Sequence, residues 1–289
     1  MRTAISSLEL LEPRSLRDAL VMLRDEGPLV PMAGCTDLYV SLNFGTLTGR
    51  RFLDLSRLDD LRGISRRGAC LSIGALTTFT DIQRSADIRR RLPMLASAAA
   101  QIGGRQVQNR ATIGGNIANA SPAGDSLPVL AAAEASVVLL SHDGQRRIPF
   151  VGFFTGYRQS VRRPDEIIVA VEVPPVDGRQ WFRKVGTRAA QAISKVVMAA
   201  VRGQRPRIAL GSVAPTVIRV RQTEEILASN GSLADAQQML LTEIAAIHDI
   251  RSTATYRRRV AANLLAQFWR ETEKGSRLAA QGSRLAART

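Results

Sequence analysis

Residues 106–128 form a stretch rich in glycine, asparagine, serine and alanine, which interrupts the hydrophobic periodicity of the chain. Within it, Gly114 and Gly115 stand between Thr112 and Asn116, whose side chains can both form hydrogen bonds. Because glycine has no Cβ atom, such a backbone can approach a ligand closely and adopt positive φ angles. The stretch therefore predicts a bend that presents main-chain N–H groups to an anion such as a phosphate.

A second bend of this kind is predicted at residues 33–37, where Gly34 and Thr36 follow a short apolar run. A helix is expected after it, and the dipole at the start of a helix favours an anion. Neither bend matches the Gly-x-Gly-x-x-Gly fingerprint or a Walker-type loop, and each by itself could serve only to reverse the chain. Together they fit a ligand with two phosphates that lies between subdomains.

The pattern of apolar residues before position 175 predicts mixed helices and strands. Apolar positions spaced i, i+3, i+4 and i+7 indicate an amphipathic helix over residues 16–23. Two further helices are predicted over residues 77–82 and 92–102. Strands are predicted over residues 29–33, 51–55, 69–73, 135–140, 146–149 and 166–173.

The best internal boundary is the proline pair Pro174-Pro175, because neither proline can continue a strand ladder. Beyond it, strands are predicted over residues 180–185, 194–201 and 207–212, and helices over residues 223–228, 233–246 and 255–269. From Arg270 onward the sequence is polar, basic and weakly periodic, which is typical of a flexible tail.

The composition indicates a globular protein of a reducing compartment. The chain has 289 residues, 45% of them hydrophobic, and its two cysteines, Cys35 and Cys70, are too few for a disulfide framework, a zinc knuckle or a four-cysteine iron–sulfur cluster. The N-terminus lacks the apolar core of a signal peptide, and the richest apolar stretch, residues 129–140, is too short to span a membrane. We expect a soluble, cytoplasmic protein without a membrane partner.

A formal net charge of +15 raises the possibility of nucleic-acid binding, because basic clusters release counterions when they neutralise phosphates. The charge is spread along the chain, however, and only 4% of the residues are aromatic, so few side chains could stack on bases. We expect no nucleic-acid partner. A solvated basic surface or an acidic partner subunit explains the charge better.

Residues 111–125, ATIGGNIANASPAGD, resemble the second FAD loop of the flavin subunits of molybdenum hydroxylases, the family of xanthine dehydrogenase and carbon monoxide dehydrogenase. Residues 33–38, AGCTDL, resemble the first FAD loop. The runs FRKVGTR at 182–188 and QAISKV at 191–196 resemble the start of the C-terminal domain, and DIRST at 249–253 resembles its late motif. The resemblance covers roughly residues 1–268 in the expected order.

The resemblance implies a bent FAD whose diphosphate lies against both bends. Ala111, Asn119 and Asp125 would contact its phosphate, ribose or flavin end, Ile168 and Lys184 would lie near the flavin ring, and Ile102 would lie close to the cofactor. The implied cofactor-binding residues are Met32, Ala33, Gly34, Cys35, Thr36, Asp37, Leu38, Ile102, Ala111, Thr112, Gly114, Gly115, Asn116, Asn119, Asp125, Ile168 and Lys184.

Three of these positions have other interpretations or depart from the family. Asp125 could instead cap the helix that follows it, and Lys184 could be solvated on an exposed strand. Cys35 stands where the family often has a second glycine. Glycine is not required there if the backbone keeps a negative φ, so we expect Cys35 to permit FAD binding.

The fold that the resemblance implies is α+β. A two-subdomain FAD-binding fold, made of a small β/α unit and a mixed or antiparallel sheet, would precede a C-terminal α+β domain of antiparallel strands and helices. We expect these divisions at residues 1–57, 58–175 and 176–270, with a basic flexible tail over 271–289.

The function that the resemblance implies is electron transfer within a heteromeric molybdenum hydroxylase. No catalytic dyad or metal-ligand spacing is evident, and an iron–sulfur subunit and a molybdopterin subunit would supply the iron–sulfur clusters and the molybdenum cofactor. NAD is the expected acceptor, and a purine such as xanthine the expected substrate of the whole enzyme. The alternatives are a free-standing flavin oxidase of related fold and a basic nucleic-acid-binding protein.

Overall fold

The computed structural model describes residues 8–273. Its first part is a small parallel sheet of three strands in the order β1-β3-β2, made of β1 (Glu9–Leu11), β2 (Val30–Met32) and β3 (Arg51–Asp54). Helices α1 (Leu16–Glu26) and α2 (Leu38–Asn43) connect the strands. Helix α1 begins where predicted, because the Ser15 side chain accepts a hydrogen bond from the N–H of Asp18.

The second sheet has five antiparallel strands. In sheet order they are β4 (Ile64–Arg67), β5 (Cys70–Gly74), β10 (Ile167–Val173), β6 (Ser136–Ser141) and β7 (Gly144–Pro149). Strand β10, which carries Ile168, lies at the centre of this sheet. It pairs with β5 on one side and with β6 on the other.

Six short helices and a small hairpin lie along the chain between β5 and β10, and several of the helices share a hydrophobic core with this sheet. They are α3 (Phe79–Arg84), α4 (Ala86–Arg91), α5 (Pro93–Ala99), α6 (Arg105–Gln108), α7 (Ile113–Asn119), α8 (Ser126–Ala132), β8 (Phe154–Gly156) and β9 (Gln159–Ser160). Thr78 and Asp81 form a reciprocal capping box that starts α3, and this confirms the predicted helix start.

The third sheet is antiparallel and contains β11 (Arg179–Val185), β12 (Val196–Arg202), β13 (Arg207–Gly211) and β14 (Ile218–Arg219), in that order. The chain then forms α9 (Arg221–Ala228), α10 (Leu233–Glu243) and α11 (Ala254–Glu271), which pack against one face of this sheet. The segment after the proline pair thus begins a sheet of its own, and none of β11, β12, β13 and β14 pairs with the second sheet.

Strand β12 joins two hydrophobic cores, because its side chains alternate between the faces of the third sheet. Val197, Ala199 and Val201 belong to the core shared with the second sheet and its helices. On the other face, Val196, Met198 and Ala200 pack under the C-terminal helices. A sheet buried on both faces fixes the relative position of the parts on either side of it.

The predicted α+β class is confirmed, but several short elements had no signal in the sequence. Strand β4 has only one apolar residue, Ile64, and is a strand because it pairs with β5. Helix α5 ends at Ala99, before the predicted end at Ile102, since the chain turns there toward Gly103 at φ 54°. These boundaries depend on tertiary pairing, which outweighs local propensity.

The C-terminal helix continues further than predicted. Glu271, expected to open the tail, is still helical, and its carboxylate accepts a hydrogen bond from Trp181 Nε1 at 2.7 Å. The remainder of the predicted tail, residues 274–289, lies outside the described residues. Within residues 8–273, no helix has both the length and the apolar character needed to cross a membrane.

Candidate functional site

A cavity of about 430 Å³ lies between the small parallel sheet and the second sheet. Its size falls in the range of small-molecule sites. Both glycine bends line it, together with Ile102 and Ile168. The predicted cofactor-binding residues on its wall are Met32, Ala33, Gly34, Cys35, Thr36, Asp37, Leu38, Ile102, Ala111, Thr112, Gly114, Gly115, Asn116, Asn119 and Ile168.

The two bends touch each other, and glycine is what allows the contact. A Cβ atom on Gly34 would lie 1.9 Å from the carbonyl oxygen of Arg110, so no side chain fits there. A Cβ atom on Gly114 would lie 2.6 Å from the Cβ of Ala75. The bends that are far apart in the sequence therefore form one continuous wall, as expected for a cradle around a single extended ligand.

The first bend carries main-chain donors without acceptors. Within residues 8–273, the N–H groups of Gly34, Cys35, Thr36 and Asp37 donate no hydrogen bond. Groups of this kind at the start of a helix need an external acceptor, and phosphate oxygens suit them well. This part of the wall therefore fits the diphosphate of a dinucleotide.

The second bend differs from the expectation that its amides are also available. The N–H of Gly114 donates to the carbonyl of Ala75 at 2.8 Å, and the N–H of Gly115 donates to Thr112 Oγ1 at 3.1 Å. The neighbouring N–H groups of Ile113 and Asn116 are also hydrogen-bonded. Thr112 caps α7, so the helix start uses these donors, and the second bend contributes shape and side chains instead.

The expectation of a negative φ at Cys35 is wrong. Its φ is 63°, in the left-handed region where glycine has no steric penalty. The strain follows from the tight turn into α2, in which Tyr39 N–H donates to the Cys35 carbonyl. Burial raises the pKa of the Cys35 thiol, so that this side chain stays neutral beside the bend.

Asp125 and Lys184 do not line the cavity but form a buried ion pair with each other. Lys184 Nζ lies 2.5 Å from Asp125 Oδ2 and also donates to the carbonyl of Gln101, next to Ile102 on the cavity wall. The Lys184 side chain is only 6% exposed, which excludes the solvated interpretation. The Asp125 side chain makes no capping hydrogen bond to α8, so it does not serve as a helix cap.

Burial also sets the protonation of this pair. Desolvation raises the pKa of Asp125 from its ordinary value of 3.8 to about 6, and the nearby Lys184 ammonium opposes that shift. Asp125 Oδ1 is buried and has no hydrogen-bond partner within the described part of the chain. Because Asp125 is not on the cavity wall, the structure does not bring this oxygen to a ligand in the cavity, and the expected contact between Asp125 and the cofactor is not seen.

Three charged residues of the cavity wall, Arg158, Arg162 and Glu166, were missed from the sequence. Arg158 lies in the hairpin of β8 and β9, which had not been predicted, and Arg162 follows that hairpin. Arg158 Nη1 donates to Asn119 Oδ1 at 2.8 Å, and this bond links the hairpin to the end of α7. The only local signal in the sequence is Gly156-Tyr157-Arg158, which indicates a turn but does not by itself indicate a ligand.

Two family models match the chain. The model described as the FAD binding domain in molybdopterin dehydrogenase matches residues 6–176, which is more than half of the chain. The model described as the CO dehydrogenase flavoprotein C-terminal domain matches residues 181–272. The gap between the two matches falls just after the predicted boundary at Pro174-Pro175.

Individual proteins that are similar to this chain belong to the same family as these models indicate. The carbon monoxide dehydrogenase medium chain of Hydrogenophaga pseudoflava is 31% identical over 265 residues, which cover 88% of this chain and 92% of that one. The xanthine dehydrogenase FAD-binding subunit of Escherichia coli O157:H7 is 35% identical over 222 residues, covering 73% and 76%. A solved structure of the Hydrogenophaga pseudoflava carbon monoxide dehydrogenase superposes with a TM-score of 0.85 at 29% identity, covering 90% of this chain and 95% of that chain.

Proposed function

Because the chain belongs to the family of FAD-binding subunits of molybdenum-dependent hydroxylases and dehydrogenases, we propose that it passes electrons from a partner iron–sulfur subunit to NAD. The observation that carries this proposal is the row of unpaired N–H groups at Gly34, Cys35, Thr36 and Asp37 beside the second glycine bend. A diphosphate is the anion that such a row fits.

FAD, when bound, accepts electrons singly from an iron–sulfur centre and releases them in pairs as a hydride. The protein residues bind and orient it. In this proposal the amides at residues 34–37 hold the diphosphate, the glycines of the second bend let it approach, and Ile102 and Ile168 exclude water from the ring. Asn116 and Asn119 offer side-chain donors along the same wall.

Lys184 and Asp125 would act from behind this wall. Their ion pair is anchored to the carbonyl of Gln101 and lies one residue from Ile102, so a cationic group sits close to the region assigned to the flavin ring. We expect the Lys184 ammonium to stabilise negative charge on the reduced ring.

The remaining redox centres are assigned to partner subunits. Cys35 and Cys70 are the only cysteines of the chain, and a two-iron cluster needs four such ligands. An iron–sulfur subunit and a molybdopterin subunit would complete the enzyme. A purine such as xanthine is the proposed substrate, although one relative is named for carbon monoxide and another for xanthine.

The domain division belongs to the same proposal. We assign residues 1–57 and 58–175 to the two halves of the FAD-binding part and residues 176–270 to the C-terminal part. The small parallel sheet, the five-stranded sheet and the four-stranded sheet support this division, because each falls within one of these ranges.

The test begins with the purified chain and no partner. Titration of the apoprotein with FAD, followed by flavin fluorescence, should give saturable binding of one FAD per chain. Anaerobic addition of NADH should then bleach the flavin absorbance, because hydride transfer to and from nicotinamide is reversible.

The outcomes separate the parts of the proposal. Absence of saturable FAD binding to folded protein would refute the flavoprotein assignment for this chain. FAD binding without bleaching by NADH would reject NAD as the acceptor. Bleaching by xanthine in the absence of partner subunits would instead favour the free-standing oxidase.

A further inference from the structure

The charges on the cavity wall do not balance those of the ligand that the wall fits. A dinucleotide diphosphate carries negative charge, and a charge taken out of water needs a partner. The first bend offers neutral amides, and the amides of the second bend already have acceptors. Among the described residues of the wall, the cationic side chains are Arg158 and Arg162, and the carboxylates are Asp37 and Glu166.

Glu166 does not use the Arg162 guanidinium as its hydrogen-bond donor. Its side chain is 2% exposed and accepts two hydrogen bonds from Arg146, at 2.6 and 2.8 Å. It also accepts one from the main-chain N–H of Arg163 at 2.7 Å. Arg146 therefore supplies the side-chain hydrogen bonds of this carboxylate, and Glu166 and Asp165 act on the Arg162 guanidinium only through space.

Arg162 is held in place by hydrogen bonds from one of its guanidinium nitrogens. Its Nη1 donates to the carbonyls of Arg163 and Glu166, at 3.0 and 2.8 Å, while Nε and Nη2 have no acceptor within residues 8–273. Burial lowers the pKa of Arg162, so the folded protein around it compensates its charge incompletely. Two carbonyls fix the direction of the guanidinium, and its remaining donors are available to an anion.

Arg158 approaches the same cavity from the tip of the hairpin. Its φ is 54°, a left-handed conformation that is uncommon for a residue with a side chain. Although Arg158 is exposed, its Nη1 donates a hydrogen bond to Asn119 Oδ1 at the end of α7. Its other guanidinium nitrogens donate to no group in the described part of the chain.

We propose that Arg158 and Arg162 form a diphosphate-binding subsite in the cavity that the neutral amides of the first bend also line. The inference rests on the proposed function, because it takes the ligand to be a dinucleotide. The diphosphate of FAD is the assigned occupant, since both bends and both arginines line one cavity. The same chemistry would suit the diphosphate of the acceptor NAD, and the experiment distinguishes the two sources.

The experiment compares FAD with riboflavin, which has the flavin ring but no phosphate. Fluorescence titrations of the full-length apoprotein would use wild type, Arg158→Gln, Arg162→Gln and Arg162→Lys. We expect each glutamine variant to weaken FAD binding about tenfold, with riboflavin affinity changed less than twofold. We also expect the FAD affinity of wild type to fall more steeply with added KCl than that of the variants.

Arg163→Gln is the matched control, because Arg163 is exposed, lies in the same segment and does not line the cavity. It should leave FAD affinity within twofold. Arg162→Lys keeps the charge and should retain folding, which circular dichroism checks, so a folding defect in Arg162→Gln cannot hide the result. If Arg158→Gln, Arg162→Gln and Arg162→Lys all bound FAD as tightly as wild type does, the FAD assignment would be overturned.

A second measurement tests the other source of diphosphate. ADP-ribose would be titrated into the FAD-loaded protein and its variants. Weakening of ADP-ribose with unchanged FAD binding would support a subsite for the acceptor. No change for either ligand would overturn the subsite altogether. If wild type bound no FAD at all, the proposed function would fail first, so the two failures are distinguishable.

Discussion

The ammonium of Lys184 lies 2.5 Å from Oδ2 of Asp125, and this ion pair joins the two regions that the separate family models match. Asp125 precedes α8, whereas Lys184 lies on β11 in the third sheet. Both side chains are buried, at 6% and 8% exposure. Through the carbonyl of Gln101, the pair links the third sheet to the residue that precedes Ile102 on the cavity wall.

Removing the cation of this pair should be costly. Lys184→Met leaves the Asp125 carboxylate buried without its counter-charge and is expected to lower the free energy of unfolding by about 3 kcal/mol. Asp125→Asn removes the charge whose burial raises the pKa of this group, and it is expected to cost less. The double variant should recover part of that loss, as urea unfolding of all four proteins would measure. Strictly additive losses would mean that the two side chains do not interact.

The raised pKa of Asp125 predicts a pH dependence. In the native protein the carboxyl group takes up a proton near pH 6, whereas in the unfolded chain it does so near 3.8. Its contribution to stability is therefore present at low pH and is lost as pH rises through 6. From pH 7 to pH 5, wild type should gain about 1 kcal/mol relative to Asp125→Asn in urea unfolding. A relative loss on acidification would indicate a lowered pKa instead.

Gly34→Ala should abolish FAD binding if the proposed site is correct. The added Cβ would lie 1.9 Å from the Arg110 carbonyl oxygen, so the two bends must separate. We expect FAD affinity to fall at least about a hundredfold and the free energy of unfolding to fall by about 2 kcal/mol. Gly104→Ala is the control, because its Cβ would meet only the movable ends of Gln191, at 3.2 Å, and Gln106, at 3.5 Å. Tight FAD binding by Gly34→Ala would show that the bends need not touch.

Cys35 tolerates its conformation at a cost that substitutions should reveal. Glycine relieves the strain of φ 63° but loses more backbone entropy on folding, so Cys35→Gly should change stability by less than about 1 kcal/mol. Cys35→Val places a β-branched side chain in the left-handed region and should cost about 2 kcal/mol. Thermal unfolding of the three proteins measures this order. Equal stability of the valine variant would mean that the bend relaxes to a negative φ.

Much of the site could be predicted because its residues are adjacent in the sequence. Gly114 and Gly115 lie within one run, and Gly34 lies in another, so family resemblance located both bends before their contact was known. The hydrogen bonds within the two bends could not be predicted from the sequence in the same way. The Thr112 cap that uses the second bend's amides depends on where α7 begins, and at that point Gly114 lies against Ala75, which is distant in the sequence.

The residues between the motifs were harder to assign. Arg158 and Arg162 were missed because a two-strand hairpin with little apolar alternation has no clear signal, and their partners lie far away in the sequence, as Asn119 does. The predicted negative φ of Cys35 was wrong for a related reason. A residue's conformation in a tight turn is set by the elements on either side of the turn rather than by its own type.

The sequence by itself determined the family, the α+β class and the two glycine bends, because those depend on local spacing and on residues that no other type can replace. Tertiary structure decided which donors remain unpaired, which arginines reach the cavity, and that Lys184 meets Asp125 across 59 positions of the chain. Hydrogen bonds and desolvation act between neighbours in space, and that neighbourhood exists only after the sheets have paired.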